Sequence, residues 1–413
     1  MPHQGRTLIR AALVVDGQGL RASPGAVLLE NARILACGEP ATIGQPSGAA
    51  VTDLPNAVVL PALVNVHCHL DLSHIPPAPL DGDFVSWIDQ LRPARAETDE
   101  AIAAAVQRGI ELALAGGTAL VGDIAGVRSL VPIRQLRASN LAGVSFLEVF
   151  GLGYRQVDAV RTMQEAVRDC PANERGIRLG LQPHAPYSCG PAVYEAAAQL
   201  QRPLATHLAE TLEELEFVDM ATGPLAAMLK RFDLWDDSIA GHRCHPIEYL
   251  ADILSHQPMV VGHVNYLDDG HVEKLGGWPI TVAYCPRAGA YFGHPHAGRP
   301  PHRYREMLEL GVNVALGTDG LPCLDTPDRI SVLDDMRFLY QRDGVDPIVL
   351  LRMATVAGAS ALGFDESLVT LAPGPTAGLL AVEIDGDDPD EPLIQVLQRE
   401  DAPQWIAGPF PIR

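Results

Sequence analysis

Residues 58–70 read VVLPALVNVHCHL, a continuous apolar run rich in β-branched residues that ends in two histidines two positions apart. A strand apolar on both faces is the mark of a buried parallel sheet. Seven more runs of the same form follow: TALVGDIA (118–125), AGVSFLEVFG (142–151), GIRLGLQPHAP (176–186), PLATHLAE (203–210), PMVVGHVNY (258–266), ITVAYCPRA (280–288) and VNVALGTDG (312–320). A helix-like segment comes after each. Eight strand–helix units over ~250 residues match a (β/α)8 barrel of the TIM type. A doubly wound open sheet is the alternative, but no GxGxxG follows the first strand.

Outside this array the pattern changes. Residues 6–54 read as short alternating strands punctuated by Gly and Pro, and residues 370–413 look alike, with TAGLLAVEIDG, the acidic turn DDPDEP and LIQVLQRE. Neither piece is long enough for a core of its own. The expected organisation is therefore α/β. Residues 57–364 form the barrel, and a small β-sandwich domain is built from 1–56 together with 365–413.

Composition narrows the function classes. Hydrophobic residues make up 47% of the 413, which excludes a disordered chain. The formal charge of −21 repels phosphate backbones, so neither a nucleic-acid surface nor an anionic membrane surface is expected. The seven cysteines are odd in number and scattered without a CxxC, which fits a reduced, cytoplasmic compartment. The start, MPHQGRTLIRAALVVDG, lacks the apolar core of a signal peptide. The most apolar stretch, Ala57–Val66, is about half the length of a membrane span and is interrupted by Pro61 and Asn65. A small molecule is the expected partner, and a homodimer the default assembly.

The chemistry-bearing residues sit at the C-terminal ends of the runs: His67 and His69, His184, His207 with Glu210, His263, and Asp319. Barrel enzymes build their active sites at that face. Residues two apart on a strand point the same way, so His67 and His69 can share one ion. His207 follows His69 by 138 residues, His263 follows His207 by 56, and Asp319 follows His263 by 56. At ~30 residues per unit these places are strands one, five, six and eight. Three imidazoles and a carboxylate make a mononuclear site for zinc or iron. An open position there would carry a water of lowered pKa.

The motifs VNVHCHLDLS, LQPHAPYS, THLAET, GHVNY, YCPRAGAYFG and LGTDG, in this order, resemble those of the amidohydrolase superfamily. Within it they look most like the branch of cytosine and guanine deaminases, chlorohydrolases and adenosine-type deaminases. HLDLSH followed by DFVSWIDQLRPAR looks closest to the aminodeoxyfutalosine deaminase-like subgroup. The resemblance implies one divalent metal ion, Zn2+ before Fe2+, held by His67, His69, His207 and Asp319. It implies that Glu210 shuttles a proton between the attacking water and a ring nitrogen. It also implies that His263 orients the water, that Asp319 adds proton acceptance to metal binding, and that His184 contacts a sugar. No lysine stands at a strand end where a bridging carbamate would need one, so one metal rather than two is expected. Two departures bear on the substrate alone: GTDG replaces the commoner GTDS, and Cys68 replaces a more usual Thr.

Plainer readings compete at each position. Glu210 at a helix start is also favoured by the helix dipole. Trp87, with Phe84, Ile88 and Leu91 at helical spacing, either caps the pocket or simply packs. Glu148 either reaches the pocket or forms a salt bridge. Arg287 is either a reader of phosphate or carboxylate or a rim ion pair. His294 and His296, in GHPHAGRPPH, form a second HxH that reads as structural or lid-forming. His242, Cys244 and His245 lack a second ligand pair, and Cys189 lacks an adjacent base, so neither group is expected to do chemistry. The expected function is metal-dependent hydrolytic deamination of an aminated purine nucleoside or related heterocycle, with aminodeoxyfutalosine, a menaquinone-pathway nucleoside, as the specific candidate. Another hydrolysis on the same site (a chlorohydrolase or a cyclic amide hydrolase) is the first rival. An inactive scaffold is the second.

Overall fold

The computed structural model describes residues 5–126, 129–171, 176–386 and 390–412. The first three residues of the acidic turn, 387–389, lie outside them. Each of the eight apolar runs contains one strand of the parallel array. They are β1 (Leu63–Cys68), β2 (Thr118–Ala125), β3 (Ala142–Val149), β4 (Ile177–Pro183), β5 (Ala205–Leu208), β6 (Met259–His263), β7 (Ile280–Tyr284) and β8 (Asn313–Leu316).

β1 to β4 pair in sequence order, all parallel, and β5 to β8 do the same. A parallel bridge between Leu181 and Leu204 joins the two sets. On the other side the Thr318 and Asp319 N–H groups donate to the His67 carbonyl at 2.9 and 3.0 Å. The result is a TIM-barrel-type α/β fold.

Strand alternation sorts the side chains. Val144, Phe146, Ala205, Val260, Ala283 and Ala315 pack together inside, with Val356, Ala357 and Ala359 of the helix Val356–Ala361 against them. Val121, Leu147, Leu179, Val261 and Val282 belong to a second cluster that also holds Ile102, Val106 and Ile110 of the helix Asp99–Ala115. The inner row on β3 continues to Glu148. On β4 and β5 it continues through Gln182 to His184 and from Ala205 to His207. Period two thus delivers three of the expected polar residues to one end of the array.

The chain ends build a second sheet together. Its strands run in the order Gly374–Pro375, Arg33–Gly38, Gly25–Glu30, Arg6–Val15, Ala50–Pro61, Leu379–Glu383 and Gln404–Ala407, with Arg21–Ala22 beside Arg6–Val15. The sandwich does not appear as two separate sheets: hydrogen bonding follows one path of seven strands with Arg21–Ala22 off it, and Arg6–Val15 pairs in parallel with Ala50–Pro61. The run quoted first is shared between the two sheets. Ala50–Pro61 belongs to the terminal sheet, and β1 starts after Ala62. Among the described residues no helix is long and apolar enough to cross a membrane.

Candidate active site

Five imidazoles converge at the C-terminal ends of the strands. The His67 ring centroid lies 5.5 Å from His69, 5.0 Å from His207 and 5.2 Å from His263. His184 lies 4.9 Å from His207. The close approach has a local cause. A Cβ on Gly262 would sit 3.0 Å from His67 Cε1, and one on Gly317 would sit 2.8 Å from His67 Cβ. Glycine at both positions leaves room for the His67 ring. Asp319 enters from the loop after β8, where its Oδ1 is 3.5 Å from His69 Nε2 and accepts from the Gly320 N–H at 2.8 Å.

The donor set fits a divalent cation. One ligand atom each from His67, His69 and Asp319 lies within 4.8 Å of the others, and the same holds for His67, His207 and His263. His67 Nε2 is buried with no hydrogen-bond partner among the described residues. A metal ion would satisfy that orphaned lone pair. His207 Nδ1 lies 3.1 Å from the His184 carbonyl and 3.2 Å from the Gln182 side-chain amide; a proton on Nδ1 satisfies the carbonyl and leaves Nε2 its lone pair. Burial holds His67 and His69 well below the ordinary imidazole range and His207 at about 4. Neutral imidazole is the form that binds metal.

Glu210 and His263 face each other beside this cluster, Oε1 to Nε2 at 3.5 Å. Burial, and then the nearby Asp319, raise the Glu210 carboxyl well above its ordinary range. Burial likewise raises Asp319 to about 6. The backbone around Glu210 is clamped. Glu214 accepts from the Ala209 and Glu210 N–H groups at 3.0 and 2.8 Å, and Asn265 Nδ2 donates to the Glu210 carbonyl at 3.1 Å. Ala209, His263, Val264 and Asp319 all have positive φ, 48°, 69°, 57° and 64°. Such strain at four non-glycine residues persists only where the surroundings impose it.

A cavity of about 510 Å3 opens onto these groups. His69, Glu148, His184, His207, Glu210, His263 and Asp319 line its inner end. Its outer wall is mostly apolar, with Arg92, Arg95 and Arg155 among the lining residues. Phe84, Trp87, Ile88 and Leu91 come from α1 (Phe84–Ala94), and Met228 and Leu229 from α2 (Gly223–Arg231). Trp87 therefore does line the cavity, packed edge-on to Phe292 at 5.0 Å. Glu148 is buried at the inner end, 3.8 Å from His184 Nε2 and 3.9 Å from His207 Nδ1. His184 Nδ1 is 2.7 Å from Ser188 Oγ, and its ring lies 4.5 Å from Phe150.

Arg287 is a correction. It does not line this cavity. Its guanidinium donates to Asp335 Oδ2 at 3.0 Å, Asp325 Oδ1 at 2.9 Å and the Ser331 carbonyl at 3.1 Å. The ion-pair reading describes its place. Asp335 is fully buried, so truncating Arg287 strands a charge. Arg287→Leu is expected to lower the unfolding free energy by about 3–5 kcal/mol in a urea titration, and a loss below about 1 kcal/mol would contradict the pairing.

The HRCH residues behave as loop residues: His245 Nε2 lies 3.1 Å from the Tyr266 carbonyl, and its Nδ1 accepts from the Ile247 N–H at 3.2 Å. The Cys189 thiol donates to the Val149 carbonyl, and burial pushes it up to about 11.

Two site residues escaped the sequence reading. Glu214 stands three after Thr211, whose Oγ1 accepts from the Glu214 N–H at 3.1 Å. The T-x-x-E spacing of a capping box was the available signal. Arg95 lines the cavity and donates to Asp71 Oδ2 at 3.2 Å and to the Gly126 carbonyl at 2.9 Å, tying the end of α1 to the strand ends. No local pattern announces that contact.

The model of the Amidohydrolase family matches residues 58–403. A 5-methylthioadenosine/S-adenosylhomocysteine deaminase from Syntrophobacter fumaroxidans is 29% identical over 390 residues, covering 90% of this chain and 82% of the relative. An aminodeoxyfutalosine deaminase from Deinococcus radiodurans is 28% identical over 382 residues, covering 86% and 85%. Among solved structures, the aminofutalosine deaminase of Helicobacter pylori in complex with methylthio-coformycin has a TM-score of 0.77 at 21% identity, covering 98% of this chain and 100% of that one. Motifs, fold and family match agree: the chain belongs to the amidohydrolase family.

Proposed function

We propose that the protein is a metal-dependent hydrolytic deaminase of a 6-aminopurine nucleoside. One observation carries the reading: two potential ligand groups that share His67, one with His69 and Asp319 and one with His207 and His263, meet the Glu210–His263 pair at the inner end of a cavity of about 510 Å3 with a mostly apolar outer wall. That volume accepts a nucleoside with a substituent. Relatives named as deaminases of adenine nucleosides support the class.

His67, His69, His207 and Asp319 would hold the ion, and zinc suits three imidazoles and a carboxylate with an open position. When bound, a divalent ion supplies Lewis acidity that makes a water nucleophilic at neutral pH. Glu210, its carboxyl raised by burial, hands a proton to the purine ring nitrogen as water adds to the amine-bearing carbon. Asp319 accepts the proton that the water loses. His263 holds the Glu210 carboxyl and the attacking oxygen in register. The amine takes up the proton held by Asp319 and leaves as ammonia, while the added hydroxyl returns its proton to Glu210 and the ring carbon becomes a carbonyl. His184 and Glu148 are placed to meet the sugar. Trp87, Ile88, Leu91 and Met228 are placed to meet an apolar 5′ substituent.

The finer reading is an aminodeoxyfutalosine-type nucleoside, supported by the relative of that name and by the mostly apolar outer wall. Ammonia release from zinc-loaded protein tests it, with adenosine, 5′-deoxyadenosine, 5′-methylthioadenosine, S-adenosylhomocysteine, aminodeoxyfutalosine, guanine and cytosine side by side. The highest kcat/KM is expected on a nucleoside carrying a large apolar 5′ group. Best turnover of a free base would overturn the nucleoside reading. Silence with metal bound would overturn deamination and point to halide-displacing or amide-opening hydrolysis.

A further inference from the structure

We propose that His302 is a positioning residue that holds His263 in the site, and that the histidine-rich loop 293–302 serves as a strut for the exit of β6. The argument begins with direction. Val261 belongs to the cluster that holds the helix residues, whereas a Cβ on Gly262 would face His67. Strand alternation would send the next side chain, His263, outward with Val261. Instead its ring lies 5.2 Å from His67 and 5.3 Å from His207.

The backbone makes this reversal. The Val264 N–H is shared between the Gly262 carbonyl, across His263, and the Leu208 carbonyl of β5, each at 3.0 Å, and the His263 φ is 69°. A three-residue turn with positive φ at its centre is the strained form of the γ-turn. Something must impose it.

His302 supplies the constraint. Its Nδ1 accepts from the Tyr304 N–H at 3.1 Å, so its Nε2 carries the proton, and Nε2 donates to the His263 carbonyl at 2.8 Å. The ring is buried and stacked on Tyr284 at 3.8 Å, and Arg342 donates to the Tyr284 hydroxyl at 2.9 Å. A donor fixed on both sides therefore grips the one carbonyl whose orientation sets the His263 turn. The same loop grips the far end of the exit: the Tyr266 hydroxyl lies 2.8 Å from His294 Nδ1 and accepts from the His296 N–H at 3.1 Å. Between these grips Asn265 bonds the Glu210 carbonyl. The second HxH of the chain thus belongs to a strut that fixes both partners of the Glu210–His263 pair.

This role rests on the proposed deaminase, but its test does not depend on turnover. His302→Phe keeps an aromatic ring against Tyr284 and removes the donor, while His302→Gln restores an N–H. In zinc-loaded protein labelled with 15N-histidine, His302→Phe is expected to shift the His263 ring resonances, assigned with His263→Asn, and His302→Gln to leave them near wild type. Unmoved His263 resonances in His302→Phe would overturn the proposal whether or not any substrate is turned over. On a substrate, His302→Phe is expected to lose about 10–100-fold in kcat with KM and zinc content little changed, and His302→Gln to recover most of it. Equal impairment of the two variants would overturn the assignment. So would an unfolded His302→Phe beside a His302→Gln of wild-type turnover and unshifted spectrum, since the histidine would then serve the scaffold alone.

Discussion

Glu210→Gln is expected to lower kcat by about 10²–10⁴-fold while leaving zinc content and melting temperature close to wild type. The size follows from the role. A glutamine keeps the shape of the side chain and its approach to His263, but it cannot carry a proton to the ring nitrogen. The sparing of stability follows from burial. The carboxyl already favours its neutral form because it is buried near Asp319, so a neutral amide replaces it without stranding a charge. The Glu210 backbone stays clamped by Glu214 and Asn265. Steady-state kinetics, metal analysis and a melting curve check the three parts. A variant within about tenfold of wild type would remove Glu210 from the proton path.

Metal removal is expected to act on activity and stability together. Dialysis against a strong chelator should abolish deamination, and stoichiometric zinc should restore it. The stripped protein should also melt lower. A ligand that binds only the folded state at about a thousand times its Kd contributes about 4 kcal/mol. Without the ion, His67 Nε2 returns to a buried state with no partner among the described residues. His67→Ala should mimic the activity loss and bind no zinc tightly. Full activity after verified stripping, with an unchanged melting curve, would contradict a metal mechanism.

The parts of this site that were legible in the sequence are those that local rules govern. The alternation of side chains on β3, β4 and β5 places Glu148, His184 and His207, and the HxH brings two imidazoles together, with ring centroids 5.5 Å apart. Where the backbone leaves the strand, local rules fail. His263 points inward only because a strained turn reverses it. His302, which grips that turn, lies 39 residues away. Arg287 follows the same logic. β7 ends at Tyr284 and the helix Pro286–Tyr291 starts at once, so Arg287 swings to Asp335, 48 residues on, rather than toward the cavity. Pairings of that range depend on how helices pack around the barrel, which no window of sequence contains. The terminal segments were legible as strands except for LIQVLQRE, which forms the helix Pro392–Gln398 capped by Glu391, and the parallel pairing of Arg6–Val15 with Ala50–Pro61 is a choice of topology, not of propensity.

The central claim, a metal-bearing site built for the transition state of adenine-nucleoside deamination, meets its most direct test in calorimetric titration with a transition-state analogue of 5′-methylthioadenosine in which the reacting carbon is tetrahedral and carries a hydroxyl, the shape that carbon adopts when water has added. A site complementary to that state binds such an analogue at least about 100-fold more tightly than the matching adenosine. The predicted result is tight one-to-one binding by zinc-loaded protein, largely lost on stripping and weakened in Glu210→Gln. Binding no tighter than that of 5′-methylthioadenosine, or binding indifferent to the metal, would contradict it.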